Sequence, residues 1–182
     1  MSPADRHRRF ADRFTELTAG VTDWDAPTPV AEWRARDVVD HLVTWFGTFL
    51  ETGASITLED PHTHPARRWA LRARDVQALL DAPPDGAFRH PRIGELPVEV
   101  AIDRFYTSDI FMHTWDLARA SGQDDRLDPA VCAELLAGME AMEETLRASG
   151  QYGDPVAVDA EADVQTRLIA FIGRDPAWRP PG

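Results

Sequence analysis

The chain has 182 residues, a length typical of one domain that buries its own core without disulfides or a structural metal. Its formal net charge of −12 excludes the basic field that nucleic-acid binding needs, so we expect no nucleic-acid partner. The single cysteine excludes an intramolecular disulfide and a cysteine-rich zinc site, and the lack of lysine excludes Schiff-base catalysis and Walker-type phosphate binding.

Three helices are predicted in the first half of the chain, separated by proline and glycine. The first begins at Pro3, with Ser2 as its N-cap, and Gly20 follows its last turn. The second covers about 35–51 and follows a proline-rich connection. The third covers about 65–80 and stops before Pro83, because the residue that precedes a proline disfavours the helical conformation.

The second half begins with a different kind of segment. Residues 86–96 are short and contain glycine, which predicts a small hairpin or an irregular loop. A fourth helix is expected over about 97–121, and a fifth over about 129–148 after an Asp-Pro start signal. The "PVAV" at 155–158 suits a short strand, and a short last helix is expected over about 162–172.

This pattern predicts an all-α protein, a small helical bundle that forms one domain over residues 1–182. We expect the first, second, fourth and fifth helices to form its core layer. No apolar run is long enough to span a membrane, and the N-terminal residues lack the apolar centre of a secretory signal. We therefore expect a cytoplasmic protein with no membrane partner.

The segment "DIFMHTWD" at 109–116 places polar side chains among strongly apolar ones. In a helix, Asp109, His113 and Asp116 share one face, and that face carries apolar residues that point into the bundle. His41, in "DVVDHLVTW", lies on a similar apolar stripe of the second helix. A buried carboxylate is costly unless it is paired or bound to a metal.

Two histidines and one carboxylate from facing helices therefore predict a divalent metal site. Such a set leaves coordination positions open, as in catalytic zinc sites, and it also suits Fe(II). The alternative is structural: Asp109 and His113 form a hydrogen-bonded pair at i, i+4 spacing, and His41 is a satisfied core histidine. The residues alone leave both open.

Three segments together resemble a family of DinB-like metal-binding proteins of actinobacteria, similar to the metal-binding domain of mycothiol-dependent maleylpyruvate isomerase. They are "PTPVAEWRARDVVDHL" (27–42), "FMHTWDLARASG" (111–122) and "FIGRDP" (171–176). The resemblance implies a DinB-like four-helix bundle that holds a divalent metal, commonly zinc, with iron or nickel as alternatives. It implies that His41 and His113 are metal ligands. Asp109 stands where the isomerase branch has a glutamate.

The resemblance also implies a function: a metal-dependent enzyme that uses a small thiol, mycothiol, for transfer to a small electrophile or for its isomerisation. Asp116 would then orient a ligand from the second shell, and Tyr106, Trp45 and His90 are candidates for substrate binding. A hydrolase, lyase or cyclase that activates water remains an alternative, as does a non-catalytic ligand-binding bundle. The oligomeric state stays open, a homodimer included.

Weaker candidates have simpler explanations. His62 and His64 in "PHTHP" could mark a surface metal site, but a solvated loop is the favoured interpretation. Three arginines near the site helices could bind an anionic substrate, although pairing with surface acids is expected instead. They are Arg36, Arg104 and Arg119. Cys132 lies on an apolar helix face, which indicates packing.

Overall fold

A computed structural model of the protein describes residues 1–180, apart from the side chain of Ser149. Its first three helices are α1 (Pro3–Gly20), α2 (Ala35–Ala54) and α3 (Pro65–Asp81). The Ser2 hydroxyl accepts a hydrogen bond from the Asp5 amide, which caps α1 as predicted. The three predicted helices are thus present, with α2 one turn longer than expected.

The 86–96 segment forms a two-stranded antiparallel hairpin of β1 (Ala87–His90) and β2 (Gly94–Pro97). The fully buried Phe88 ring lies directly against Gly53, where a Cβ would overlap it. This close approach explains why a glycine occupies position 53, in the last turn of α2. The hairpin therefore packs on the C-terminal end of α2.

The fourth helix changes its geometry along its length. It begins as α4 (Val98–Ala101), continues as a π-helical segment (Ile102–Thr107) and then becomes α5 (Ser108–Ala120). π-helical turns inside α-helices occur frequently at functional sites. Here the wider turn ends at Thr107, two residues before the predicted ligand Asp109. It therefore affects the direction in which the first side chains of α5 point.

Two predictions for the C-terminal third are wrong. The expected fifth helix is divided into α6 (Pro129–Glu140) and α7 (Glu143–Ser149), because the chain turns between them. The 155–158 segment is extended, but it has no strand partner among the described residues, apart from one hydrogen bond that the Val156 amide donates to the Ala170 carbonyl. The last helix, α8 (Val164–Phe171), is present as predicted.

The bundle itself consists of α1, α2, α3 and the α4–α5 helix, whereas α6 packs against α8. The predicted core layer is therefore wrong in one member: α3 replaces the fifth helix. Trp69 of α3 is fully buried and lies 4.4 Å from the Phe14 ring of α1, between ring centroids. Because α3 is rich in arginine, its sequence suggests an exposed helix and gives little sign of this buried face.

The all-α class and the DinB-like bundle with a small hairpin are confirmed. The single-domain organisation over 1–182 stays a prediction, and its last two residues lie outside those that the structure describes. Across the described residues, no helix combines the length and the apolar character that crossing a membrane requires.

Candidate metal centre

The packing of α2 against α5 brings three predicted ligands together. His41 belongs to the second turn of α2, Asp109 to the first turn of α5, and His113 follows one turn later. One ligand atom from each of these side chains lies within 4.8 Å of the other two. Residues 68 positions apart in the chain thus meet at one point, as metal coordination requires.

Asp109 is the centre of this cluster. Its Oδ2 lies 3.1 Å from Nε2 of His41 and accepts a hydrogen bond of 3.0 Å from Nε1 of Trp45. Its Oδ1 lies 3.6 Å from Nε2 of His113. Both carboxylate oxygens therefore face a ring nitrogen, and the Trp45 indole holds the carboxylate in this orientation.

His113 has a fixed second partner. Its Nδ1 lies 2.8 Å from Oδ2 of Asp116, and Arg174 donates to both oxygens of that carboxylate over 3.2 and 3.4 Å. Because an ionised carboxylate only accepts hydrogen bonds, Nδ1 of His113 carries the hydrogen. The Nε2 atom is then left with its lone pair directed at the cluster. This is the tautomer that binds a metal through Nε2.

The charges around the site keep both carboxylates ionised. Burial alone would raise the pKa of Asp109, but the nearby His113 and the hydrogen bonds from His41 and Trp45 lower it below the ordinary value. The pKa of Asp116 is lowered too, since Arg174 and His113 outweigh the effect of its complete burial. Two ionised carboxylates therefore lie close to the His113 ring, one near each ring nitrogen.

The cluster is open on one side. The His113 side chain is 5% exposed and the Asp109 side chain 17%, but the His41 side chain is 31% exposed. Trp33, from the connection before α2, stacks on the His113 ring with centroids 5.7 Å apart and lies 5.1 Å from the His41 ring. A ligand would approach past His41, with an indole as one wall of its path.

The predicted substrate-binding residues have different positions. Trp45 contacts the cluster directly through Asp109. Tyr106 is fully buried one turn before Asp109, and its ring stacks on Phe46 at 3.7 Å between centroids. His90 ends β1, and the ring contacts described for it are with Phe49 of α2 and Phe88 of β1.

The positions and contacts of the weaker candidates agree with the simpler explanations given for them. His62 and His64 are exposed, and Cys132 is buried. Each of the three arginines has another contact: Arg36 pairs with Asp25, Arg104 donates to the Met142 sulfur, and Arg119 pairs with Asp125. These arginines therefore act in local contacts rather than at the cluster.

The sequence did not predict three residues near the centre. Trp33 stacks on His113 from the connection before α2, and Arg174 lies in the "FIGRDP" segment, which contributes to the family resemblance but indicates no role for this arginine. Tyr152, after α7, is close enough to feel the charge of Asp109. Burial and that charge raise its pKa to about 12, with Arg174 opposing them, so its hydroxyl remains protonated. No local pattern relates these positions to α5, because their proximity depends on how the C-terminal third folds back.

Comparison with known proteins agrees with this geometry. The family model described as "Mycothiol maleylpyruvate isomerase N-terminal domain" matches residues 7–118. Two proteins of Mycobacterium tuberculosis are each 33% identical over 186 residues, which cover 96% of this chain and 98% of their own length. They are the uncharacterized proteins MT0763 of strain CDC 1551 / Oshkosh and Rv0738 of strain ATCC 25618 / H37Rv. No solved structure shows a significant match.

The matched range includes His41, Asp109 and His113, whereas Arg174 and Tyr152 lie beyond it. The resemblance seen in the sequence is therefore confirmed at the level of the family. With more than half of its length matched, the chain belongs to the family of the mycothiol maleylpyruvate isomerase N-terminal domain.

Proposed function

We propose that His41, Asp109 and His113 hold one divalent metal ion, and that the protein uses it to react a small thiol with a small electrophile. Zinc is the first choice, because two histidines, one carboxylate and an open position are typical of catalytic zinc sites. Mycothiol is the proposed thiol, since the family model is named for a mycothiol-dependent isomerase domain. The reaction is transfer to the electrophile or its isomerisation, in the cytoplasm.

One observation carries the metal proposal. Nδ1 of His113 bonds to Asp116, so in the neutral ring the Nε2 lone pair faces the Asp109 carboxylate at 3.6 Å, and no hydrogen lies between these two acceptors. Two acceptors at this distance repel each other unless a cation lies between them or the imidazole is protonated. A divalent ion satisfies both acceptors together with His41, which explains why three helix positions converge here.

The chain's own residues would prepare this site for chemistry. Arg174 and Asp116 hold the His113 ring, and Trp45 holds the Asp109 carboxylate, so the ligand atoms need little reorganisation. Trp33 excludes water from one side of the cluster. A metal bound there would favour the thiolate form of a coordinated thiol, which is the nucleophile.

The test combines metal analysis with a spectroscopic probe. Protein purified without chelators and reconstituted with zinc should contain close to one ion per chain. After cobalt substitution, mycothiol should produce a sulfur-to-cobalt charge-transfer band, because the thiol binds at the open position. The His113→Ala variant, treated in the same way, should show neither the metal nor the band.

The outcomes separate the alternatives. A metal content near zero after reconstitution would contradict the site itself. A loaded metal with no thiol band would favour an enzyme that activates water. A cobalt spectrum that changes with neither thiol nor pH would indicate a closed, structural metal.

A further inference from the structure

A second polar site lies inside the bundle, at Arg72 of α3. Arg72 is only 3% exposed, and its Nε and Nη1 atoms are buried without a hydrogen-bond partner among the described residues. Arginine is almost never fully buried unless it is paired, because its charge cannot be neutralised by losing a proton. This guanidinium therefore needs an anion that the described part of the chain does not supply.

The neighbouring carboxylates are bound elsewhere. Asp60 and Asp75 are near enough to act on Arg72 electrostatically. Asp60, however, accepts hydrogen bonds from Arg68 over 2.7 to 3.1 Å, and Asp75 accepts from Arg74 over 2.8 and 3.0 Å. Each acid has its own arginine, so the charge of Arg72 has no directly contacting partner within residues 1–180 as the structure describes them.

The second member of the site is Tyr106. It is fully buried, and its hydroxyl has no hydrogen-bond partner within the described part of the chain. Burial raises the pKa of Tyr106 while Arg72 opposes this, so the hydroxyl stays protonated and remains a donor. The stack on Phe46 fixes the ring in place. Two guanidinium nitrogens and one hydroxyl are thus available, and all three groups donate.

The α2 backbone comes close to these donors at a glycine. Gly47 of α2 faces the guanidinium, and a Cβ at this glycine would lie 3.5 Å from Nη2 of Arg72. Arg68, one turn before Arg72 on α3, lines a surface pocket of about 630 Å³ between α2, α3 and the connection that precedes α3. A ligand of Arg72 would approach from this side, one helical turn away.

We propose that Arg72 and Tyr106 form a binding site for a small carboxylate, separate from the three candidate metal ligands. A water molecule would accept from these donors but would bring no negative charge to the guanidinium. A carboxylate matches the fork of a guanidinium with two parallel hydrogen bonds and brings the missing charge. A phosphate dianion would cost more to desolvate in so enclosed a site. The proposal does not depend on the metal.

The test uses acetate as the probe and metal-free protein, so that acetate cannot act at a metal. At constant ionic strength, with chloride as the balancing anion, acetate should raise the melting temperature of the wild type with saturation, because it binds the folded state. Arg72→Met should abolish this response. Tyr106→Phe should weaken the apparent affinity about tenfold, as expected when a charged acceptor loses one hydrogen bond.

The controls isolate the site. Arg74→Met removes an exposed arginine from the same helix and should leave the acetate response unchanged. His41→Ala should also keep it, which separates this site from the candidate metal centre. In chloride alone, Arg72→Met should melt at or above the wild-type temperature, since it removes an uncompensated buried charge.

Three results would overturn the proposal. The first is an equal response of the wild type and Arg72→Met to acetate, and the second is an equal effect of neutral acetamide. The third is saturable stabilisation by inorganic phosphate without any effect of acetate, which would make the ligand a phosphate group. If Arg72→Met does not fold, Tyr106→Phe decides: an unchanged acetate affinity in this variant would contradict the site.

Discussion

Asp109 and Asp116 both lie on the inward face of α5, yet their contacts give them different roles. Asp109 faces two imidazole Nε2 atoms, whereas Asp116 contacts His113 through Nδ1, on the far side of the ring. Under the proposed function, the first is a direct ligand and the second orients one. The two residues should therefore respond differently to the same substitution.

We predict a graded loss of zinc affinity. His41→Ala, His113→Ala and Asp109→Asn should each lose more than about 100-fold, whereas Asp116→Asn should lose about 10–100-fold, as is typical for partners of ligands. Competition with a chromophoric chelator measures these affinities, and cobalt spectra should change only in the first group. Asp12→Asn removes an exposed charge from α1 and should have no effect. Near-wild-type affinity in Asp109→Asn would mean that the third ligand is another group.

A different residue predicts a pH effect. His7 is fully buried in α1, and this burial lowers its pKa below the ordinary value of 6.5, although Gln77 partly opposes the shift. The unfolded chain therefore binds a proton at His7 more readily than the folded protein does. The contribution to stability is present above pH 6.5 and is lost as the pH falls towards the folded-state pKa.

His7→Phe should accordingly remove part of the acid sensitivity. Between pH 7.5 and 5, the free energy of unfolding of the wild type should fall more steeply than that of the variant, by at most about 1.4 kcal/mol per pH unit for one proton. Urea unfolding at a series of pH values measures both slopes. His62→Phe, at an exposed histidine, is the matched control and should keep the wild-type slope. Parallel slopes for wild type and His7→Phe would contradict the buried neutral imidazole.

At the level of elements, two helical glycines have opposite surroundings. A Cβ at Gly53 of α2 would overlap the Phe88 ring of the hairpin. At Gly138 of α6, a Cβ would meet nothing within 4 Å. Both glycines weaken the intrinsic stability of their helices. A difference in unfolding free energy between alanine substitutions at the two positions therefore measures the packing of the hairpin on α2.

Gly53→Ala should destabilise the protein by about 1–3 kcal/mol, because the added methyl group forces Phe88 out of its position. Gly138→Ala should stabilise it by about 0.5–1 kcal/mol through helix propensity. Chemical denaturation of both variants measures the two signs in one experiment. Stabilisation by both substitutions would show that the hairpin does not contact α2 as described.

The same scale explains how far the elements could be predicted. Strong local signals, such as Ser2 before Pro3, correctly placed the start of α1. The role of α3 in the bundle was missed, since a helix with many arginines looks exposed until its Trp69 face is seen against α1. The π-helical segment before Asp109 has no sequence signal in this chain, because its wider turn is a response to packing.

For the whole molecule, the proposed metal joins α2 to α5 only in the folded state. Its removal should therefore lower the melting temperature without unfolding the bundle, whose buried core extends well beyond the site. At a free metal concentration 100 times above Kd, metal binding stabilises the folded state by about 2.7 kcal/mol. For a chain of this size, this corresponds to a shift in melting temperature on the order of 5–10 °C.

Calorimetry before and after verified chelation measures this shift, and the dispersion of an NMR spectrum monitors the fold. The His41→Ala variant provides the control, as chelation should not change its melting temperature. An identical wild-type transition with and without metal would contradict a site shared between two helices. Complete unfolding on chelation would instead show that the metal is needed for the fold.

The all-α class, most helix starts, the family and the three residues of the candidate centre could be inferred from the amino-acid sequence, because each depends on local spacing or on short motifs. Periodicity put Asp109 and His113 on one helix face, and the apolar stripe of α2 directed His41 inward. Long-range packing decides which helix completes the bundle and that Arg174 reaches Asp116. It also decides that Arg72 is enclosed without a partner among the described residues. These contacts join residues that are far apart in the sequence, so no local sequence pattern predicts them.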